Sequence, residues 1–161
     1  MTRLLLSSTL CLLLFLSVSC SKDKKCESLP PQVNVPANEI TAVEQYLSSN
    51  NISDAVKSND GFYYKITEAG SGSSPSLCSN VSIFYTGSLT DGTIFDGTTS
   101  VPASFTLNQL ISGWQLGVPL LKKGGRMMLY LPPSLAYGSR STGPIPPNSV
   151  LIFDIKLVDF R

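Results

Sequence analysis

From Asp60-Gly61 onward the apolar residues recur with period two, the signature of half-buried strands. Phe62-Tyr63-Tyr64-Lys65-Ile66 reads as one strand, followed by a Gly/Ser loop from Gly70 to Ser76. Val81 to Leu89 reads as a second, with Val81, Ile83 and Tyr85 on one face. Asp91-Gly92 is a tight hairpin signal, Ile94-Phe95 begins the return strand, and Ser104 to Leu107 continues the sheet after a loop. Met127 to Leu131 is apolar on both faces. Val150 to Phe160 closes the chain, with Leu151, Phe153, Ile155 and Leu157 alternating with Asp154 and Lys156. In this region helical spacing occurs once, from Leu110 to Val118, where Leu110, Trp114 and Val118 fall on one face beside Ile111 and Pro119 marks the end. Lys122 to Gly125 makes a turn. Pro132 to Asn148 is a long Pro-, Gly- and Ser-rich loop, of a length more often functional than passive in a compact domain. Several antiparallel strands with one short helix predict an α+β domain.

Ahead of it the pattern is different. Met1-Thr2-Arg3 is a short cationic start, and Leu4 to Val18 is a Leu-rich run ending in Ser17-Val18-Ser19-Cys20. At about 15 residues the run falls short of the ~20 that span a bilayer, so a cleaved export signal over residues 1–19 is expected. Ser19 before Cys20 resembles a bacterial lipobox, in which the cysteine is acylated and becomes the new N-terminus. The usual Leu three places earlier is Ser17 here, with Leu16 one place further back. A plain secretory signal with Cys20 incidental is the alternative. Residues 20–59 then read as a lipidated tether, polar and Pro-containing to Pro36, with a short amphipathic helix from Asn38 to Leu47. Ile40, Val43 and Leu47 form its apolar stripe, Asn38 is a candidate N-cap, and Ser48-Ser49-Asn50-Asn51 ends it. Whether this helix folds back on the domain or mediates dimers is open at this level.

Composition narrows the chemistry. The chain has 161 residues, one domain with a short extension, and contains no histidine. Ser-His and Cys-His catalysis is thereby excluded, and the commonest general base and metal ligand are missing. Loss of residues 1–19 removes Arg3 from the 12 Lys and Arg and leaves them balanced against the 11 Asp and Glu. A neutral protein has no electrostatic reason to bind nucleic acid or an anionic membrane surface. Of the four cysteines, Cys11 leaves with the signal and Cys20 takes the lipid. Cys26 and Cys78 remain, either as a disulfide in an oxidising compartment or as two unrelated thiols. A bridge would close a loop of about fifty residues, with a chain-entropy contribution of roughly 4 kcal/mol.

Seven segments then follow one another in a specific order. They are Val81-Ser82-Ile83-Phe84-Tyr85-Thr86-Gly87, Asp91-Gly92, Phe95-Asp96, Ile111-Ser112-Gly113-Trp114, Leu135-Ala136-Tyr137-Gly138, Ile145-Pro146-Pro147 and Leu151-Ile152-Phe153-Asp154. Each is weak alone, but together they resemble the FKBP-type peptidyl-prolyl cis/trans isomerases over about residues 61–161. The resemblance implies an isomerase domain over residues 60–161, with about five antiparallel strands wrapped around one short helix. It implies that Tyr85, Phe95, Trp114, Tyr137 and Phe153 form the aromatic walls and floor of a proline pocket. Leu110, Ile111 and Ile145 would add aliphatic lining, and Asp96 an acidic group at the rim. The Ile111 N–H and the Tyr137 hydroxyl would contact substrate carbonyls. For Asp96 an ion pair with Arg126 or Arg140 is the competing role. Where many members carry a further pocket aromatic, this chain has Ala103, with Phe105 two residues on, which leaves one wall open. The histidine that some members carry before the last strand is absent.

Such a site needs no base, nucleophile, metal or cofactor. Amide resonance puts a barrier of about 18–20 kcal/mol on peptide rotation. The X–Pro isomers are close in energy yet exchange over roughly 10–100 s. The twisted transition state has less charge separation than the planar amide, so a dry apolar cavity favours it. A thousandfold acceleration requires only about 4 kcal/mol. The resemblance, together with the export signal and the Cys20 lipobox, therefore implies an isomerase for proline-containing client proteins outside the cytoplasm, lipid-anchored at an outer membrane and facing the periplasm or the cell exterior. Macrolide ligands such as tacrolimus or rapamycin are implied in the measure that the Ala103 wall allows. The membrane is a partner through the anchor alone, and a monomer is expected. A non-catalytic chaperone or proline-segment binding module is the alternative.

Overall fold

The computed structural model describes residues 29–98 and 100–161. The expected export signal over residues 1–19 and both Cys20 and Cys26 lie outside the described residues.

The period-two segments form one antiparallel sheet. Its strands are Val56–Lys57 (β1), Tyr63–Glu68 (β2), Asn80–Leu89 (β3), Ile94–Gly97 (β4), Ala103–Thr106 (β5), Arg126–Leu131 (β6) and Leu151–Phe160 (β7). Six of these match the expected strands. β1 is a two-residue edge strand, too short to leave a periodic signal. The order is β1-β2-β6-β7-β3-β4, and β5 also pairs with β3. β3 therefore has β7 along one edge, while its other edge is divided. β5 pairs with Asn80 to Ile83 and β4 with Thr86 to Ser88. Tyr85 sits at the division, where Thr98 takes over the pairing. The Tyr85 N–H donates to Thr98 Oγ1 at 3.1 Å, and Thr98 N donates to the Tyr85 carbonyl at 2.9 Å.

Alternation along β6 and β7 gives the sheet two faces. Met127, Leu129 and Leu131 point to the same side as Leu151, Phe153, Ile155 and Leu157, and pack with Val81, Ile83 and Trp114 in the main core. The helix over this face, Ser112–Gly117 (α2), is shorter than the expected 110–118. Leu110 and Ile111 are extended, and a 3₁₀ turn at Val118–Leu120 follows α2 because Pro119 cannot continue it. α2 lies flat on β6. A Cβ at Gly113 would overlap the Leu131 methyls, so only glycine permits this approach.

The opposite face is also covered. Ala37–Ser49 (α1) folds back onto it. Val43 and Leu47 pack with Tyr63, Tyr130, Val150 and Ile152. The helix starts one residue before the expected Asn38. Pro36 takes the cap position, and its carbonyl accepts from Glu39 N and Ile40 N. Beyond the helix the same face turns ionic. Arg126 makes a bidentate pair with Asp154, with Nε–Oδ1 2.7 Å and Nη2–Oδ2 2.6 Å, and Lys156 reaches Glu68 at 3.3 Å.

Candidate active site

The divided edge of β3, α2 and the β6–β7 loop enclose an open cavity of about 310 Å³. It is lined by Tyr85, Phe95, Asp96, Phe105, Gln109, Leu110, Ile111, Trp114, Tyr137 and Phe153. Trp114, 4% exposed, forms the floor from α2. Its ring meets Tyr85 edge-on at 5.2 Å, Phe153 at 5.3 Å and Phe105 at 5.9 Å between centroids. Phe95 packs edge-on against Phe153 at 5.7 Å. Near-perpendicular contacts of this kind match the positive edge of one ring to the negative face of the next. They hold the walls in one arrangement.

Gly87 makes the close packing of two of these rings possible. A Cβ there would stand 2.6 Å from Phe95 Cε2 and Cζ and 2.9 Å from Phe153 Cε1. Hydrogen in place of a side chain lets both rings lie against the β3 backbone.

Polar groups at the rim are fixed from behind. The Tyr85 hydroxyl donates to Asp96 Oδ2 at 2.7 Å, and Gly97 N donates to Asp96 Oδ1 at 2.8 Å. Asp96 thus takes its hydrogen bonds from Tyr85 and its own strand, while Arg126 is engaged with Asp154. Burial, and then the Asp96 carboxylate, push the Tyr85 phenol far above its ordinary range. Burial followed by the Asp96 charge also raises Tyr137. Both hydroxyls therefore remain protonated at neutral pH and can act only as donors or neutral acceptors.

The Ile111 N–H is oriented from behind as well. Gln115 Nε2 donates to the Leu110 carbonyl at 2.7 Å and to the Asn108 carbonyl at 3.3 Å. In a planar trans peptide the carbonyl and the following N–H point in opposite directions. Holding the Leu110 oxygen toward Gln115 therefore turns the Ile111 N–H away from it.

Of the nine pocket residues named from sequence, eight line this cavity: Tyr85, Phe95, Asp96, Trp114, Tyr137, Phe153, Leu110 and Ile111. Ile145 does not. It is 4% exposed and belongs to the main core, drawn in by the bridge between Thr142 and Ile145 that tightens its loop. Phe105 and Gln109 were not named and do line it. Ala103 pairs with Ile83 on β5, and the strand alternation carries Phe105, two residues on, to the cavity. The aromatic wall that Ala103 left open is closed by Phe105.

Known proteins bear on this geometry. The family model described as FKBP-type peptidyl-prolyl cis-trans isomerase matches residues 72–158. The FKBP-type peptidyl-prolyl cis-trans isomerase FkpA of Aeromonas hydrophila is 37% identical over 152 residues, covering 84% of this chain and 57% of that protein. The outer membrane protein MIP of Legionella longbeachae is 43% identical over 104 residues, covering 63% of this chain and 45% of that one. The crystal structure of FkpA from Escherichia coli superimposes with a TM-score of 0.70 at 38% identity, covering 78% of this chain and 60% of that one. The chain thus spans about half the length of the curated relatives it matches. Seven ordered motifs, the split-edge sheet around α2 and the aromatic cavity agree with these likenesses, and the chain belongs to the FKBP-type peptidyl-prolyl cis-trans isomerase family.

Proposed function

We propose that this chain is a peptidyl-prolyl cis/trans isomerase acting on exported proteins. The observation that carries the reading is the gathering of six aromatic rings on one open cavity with a fixed carboxylate at its rim. Its volume of about 310 Å³ is at the lower end of small-ligand pockets, about 300–1,000 Å³. The prolyl ring enters over the Trp114 indole, between Tyr85, Phe95 and Phe153. The Ile111 N–H and the Tyr137 hydroxyl hold the carbonyls flanking it. The apolar walls withhold solvation from the planar, charge-separated amide and leave the twisted form less penalised. Asp96, engaged by Tyr85 and Gly97, shapes the field at the rim and takes no proton. No bond to the substrate is made or broken.

The same reading covers location and partners. The apolar run before Ser19-Cys20 supports export and lipidation at Cys20, with the domain held in the periplasm or at the cell exterior. Among the described residues no helix is long and apolar enough to cross a membrane. A Cys26–Cys78 disulfide would tie the tether to the domain. Phe105 supports a wall for macrolides such as tacrolimus. α1 uses its apolar stripe on its own sheet, which favours a monomer.

The test is cis/trans exchange of a Leu-Pro peptide with residues 21–161. Acceleration is expected. A rate equal to the uncatalysed one in folded protein rules out the enzyme, and peptide binding without acceleration selects the non-catalytic binding module.

A further inference from the structure

Tyr137 is carried by the long loop between β6 and β7, whose first turn is the 3₁₀ segment Pro133–Leu135. Such a turn leaves its leading N–H groups without partners inside it. Pro132 and Pro133 have no N–H, so Ser134 supplies the first donor of the turn. Its partner comes from far away in sequence. Glu39, in the first turn of α1, accepts from Ser134 N at 2.8 Å and from Ser134 Oγ at 2.5 Å through the same oxygen, Oε2. A carboxylate that accepts from both the amide and the hydroxyl of the turn's first donor residue is a charge-assisted cap, stronger than a neutral bond.

The rest of the loop is chained to that turn. Ala136 N and Gly138 N donate to the Pro133 carbonyl at 2.9 and 2.8 Å, and Asn148 N donates to the Gly138 carbonyl at 2.8 Å. At the far end Val150 packs with Val43 and Leu47 of α1. The helix therefore grips the loop at both ends, while Tyr137, between them, lines the cavity. α1 lies before the family match, which begins at residue 72.

We propose that α1 braces the loop carrying Tyr137, and that Glu39 is the positioning residue through which it does so. The catalytic half of this inference rests on the isomerase reading. The structural half does not, and the two are measured separately.

Hydrogen exchange of the Leu135, Ala136 and Gly138 amides reads the brace. Glu39→Ala is expected to speed their exchange about tenfold relative to wild type, as a locally loosened segment does. Glu44→Ala removes α1 contacts to Tyr63 and Lys57 but leaves Ser134 untouched, and is expected to leave these amides as they are. Unchanged exchange in Glu39→Ala, or equal acceleration in Glu44→Ala, overturns the brace. The catalytic half is read by a double-mutant cycle on kcat/KM with Tyr137→Phe. Glu39→Ala is expected to lower kcat/KM about fivefold in the wild-type background, as displacement of a substrate-contacting group does, and to have almost no effect when Tyr137 is Phe. Equal losses in both backgrounds would show that Glu39 acts by another route and overturn its positioning role. A folded but inactive wild type would contradict the isomerase reading alone, because the exchange measurement still decides the brace.

Discussion

An alanine at position 87 would bring its Cβ to 2.6 Å from two carbons of the Phe95 ring, closer than carbon atoms pack. The ring has open space on its cavity side and backbone on the other, so it would move inward. Gly87→Ala is therefore expected to lower kcat/KM on the order of tenfold, about 1.4 kcal/mol of transition-state stabilisation, and to lower the melting temperature as well, because the same Cβ meets the buried Phe153 ring at 2.9 Å. Peptide exchange alongside a melting curve checks this. Phe105 supports a second test. Its edge contacts to Tyr85 and Trp114 make it part of the wall, so Phe105→Ala should weaken tacrolimus and peptide binding together, read by quenching of Trp114, the sole tryptophan. Unchanged affinity would remove Phe105 from the site. At this scale most of the cavity was legible, because Tyr85, Phe95, Asp96, Trp114, Tyr137 and Phe153 each sit inside a recognisable segment. Phe105 was not, since Ala103 and Phe105 share one face of a four-residue strand and motif order alone did not fix which of them reaches the cavity. Ile145 was misplaced because its loop folds through a local bridge that no periodicity announces.

Elements followed the same logic. The long strands β3 and β7 were read almost to their ends, because ten alternating residues leave little freedom of register. α2 was overextended, since Leu110 continues its apolar spacing although the backbone there is extended. For α1 the stripe was clear but its destination was not. Nothing local tells that Tyr63, Tyr130 and Ile152 present a second apolar face. That face makes a prediction in alkali. Burial first, then the neighbouring Tyr46 and Asp54, pushes the Tyr130 phenol up to about 12, against an ordinary 10.0. The folded state holds this proton more tightly than the unfolded chain. Its contribution is thus complete below pH ~10 and is lost as pH rises toward ~12. Urea midpoints should fall over that window, and more shallowly in Tyr130→Phe. An identical slope in the variant would deny the burial of that hydroxyl.

For the whole molecule, the sheet holds two separate jobs on its two faces. The α2 face carries the cavity, and the α1 face carries the brace and the ion pairs around Arg126. The α+β class and the antiparallel sheet could be derived from the pattern, whereas burial of both faces could not, because β1 and the α1 contacts arise only on folding. The proposed Cys26–Cys78 bridge belongs to this scale too. A thiol count on non-reduced exported protein should find neither cysteine free, and two free thiols would refute the bridge.

The central claim is that the aromatic cavity turns over X–Pro bonds instead of only holding them. Exchange spectroscopy on a Phe-Pro peptide, with residues 21–161 at a small fraction of the peptide concentration, tests it most directly. Cross-peaks between the cis and trans proline signals should appear at mixing times where free peptide, exchanging over roughly 10–100 s, gives none, and should fade with Phe95→Ala. Folded wild-type protein that yields no such cross-peaks would contradict the account.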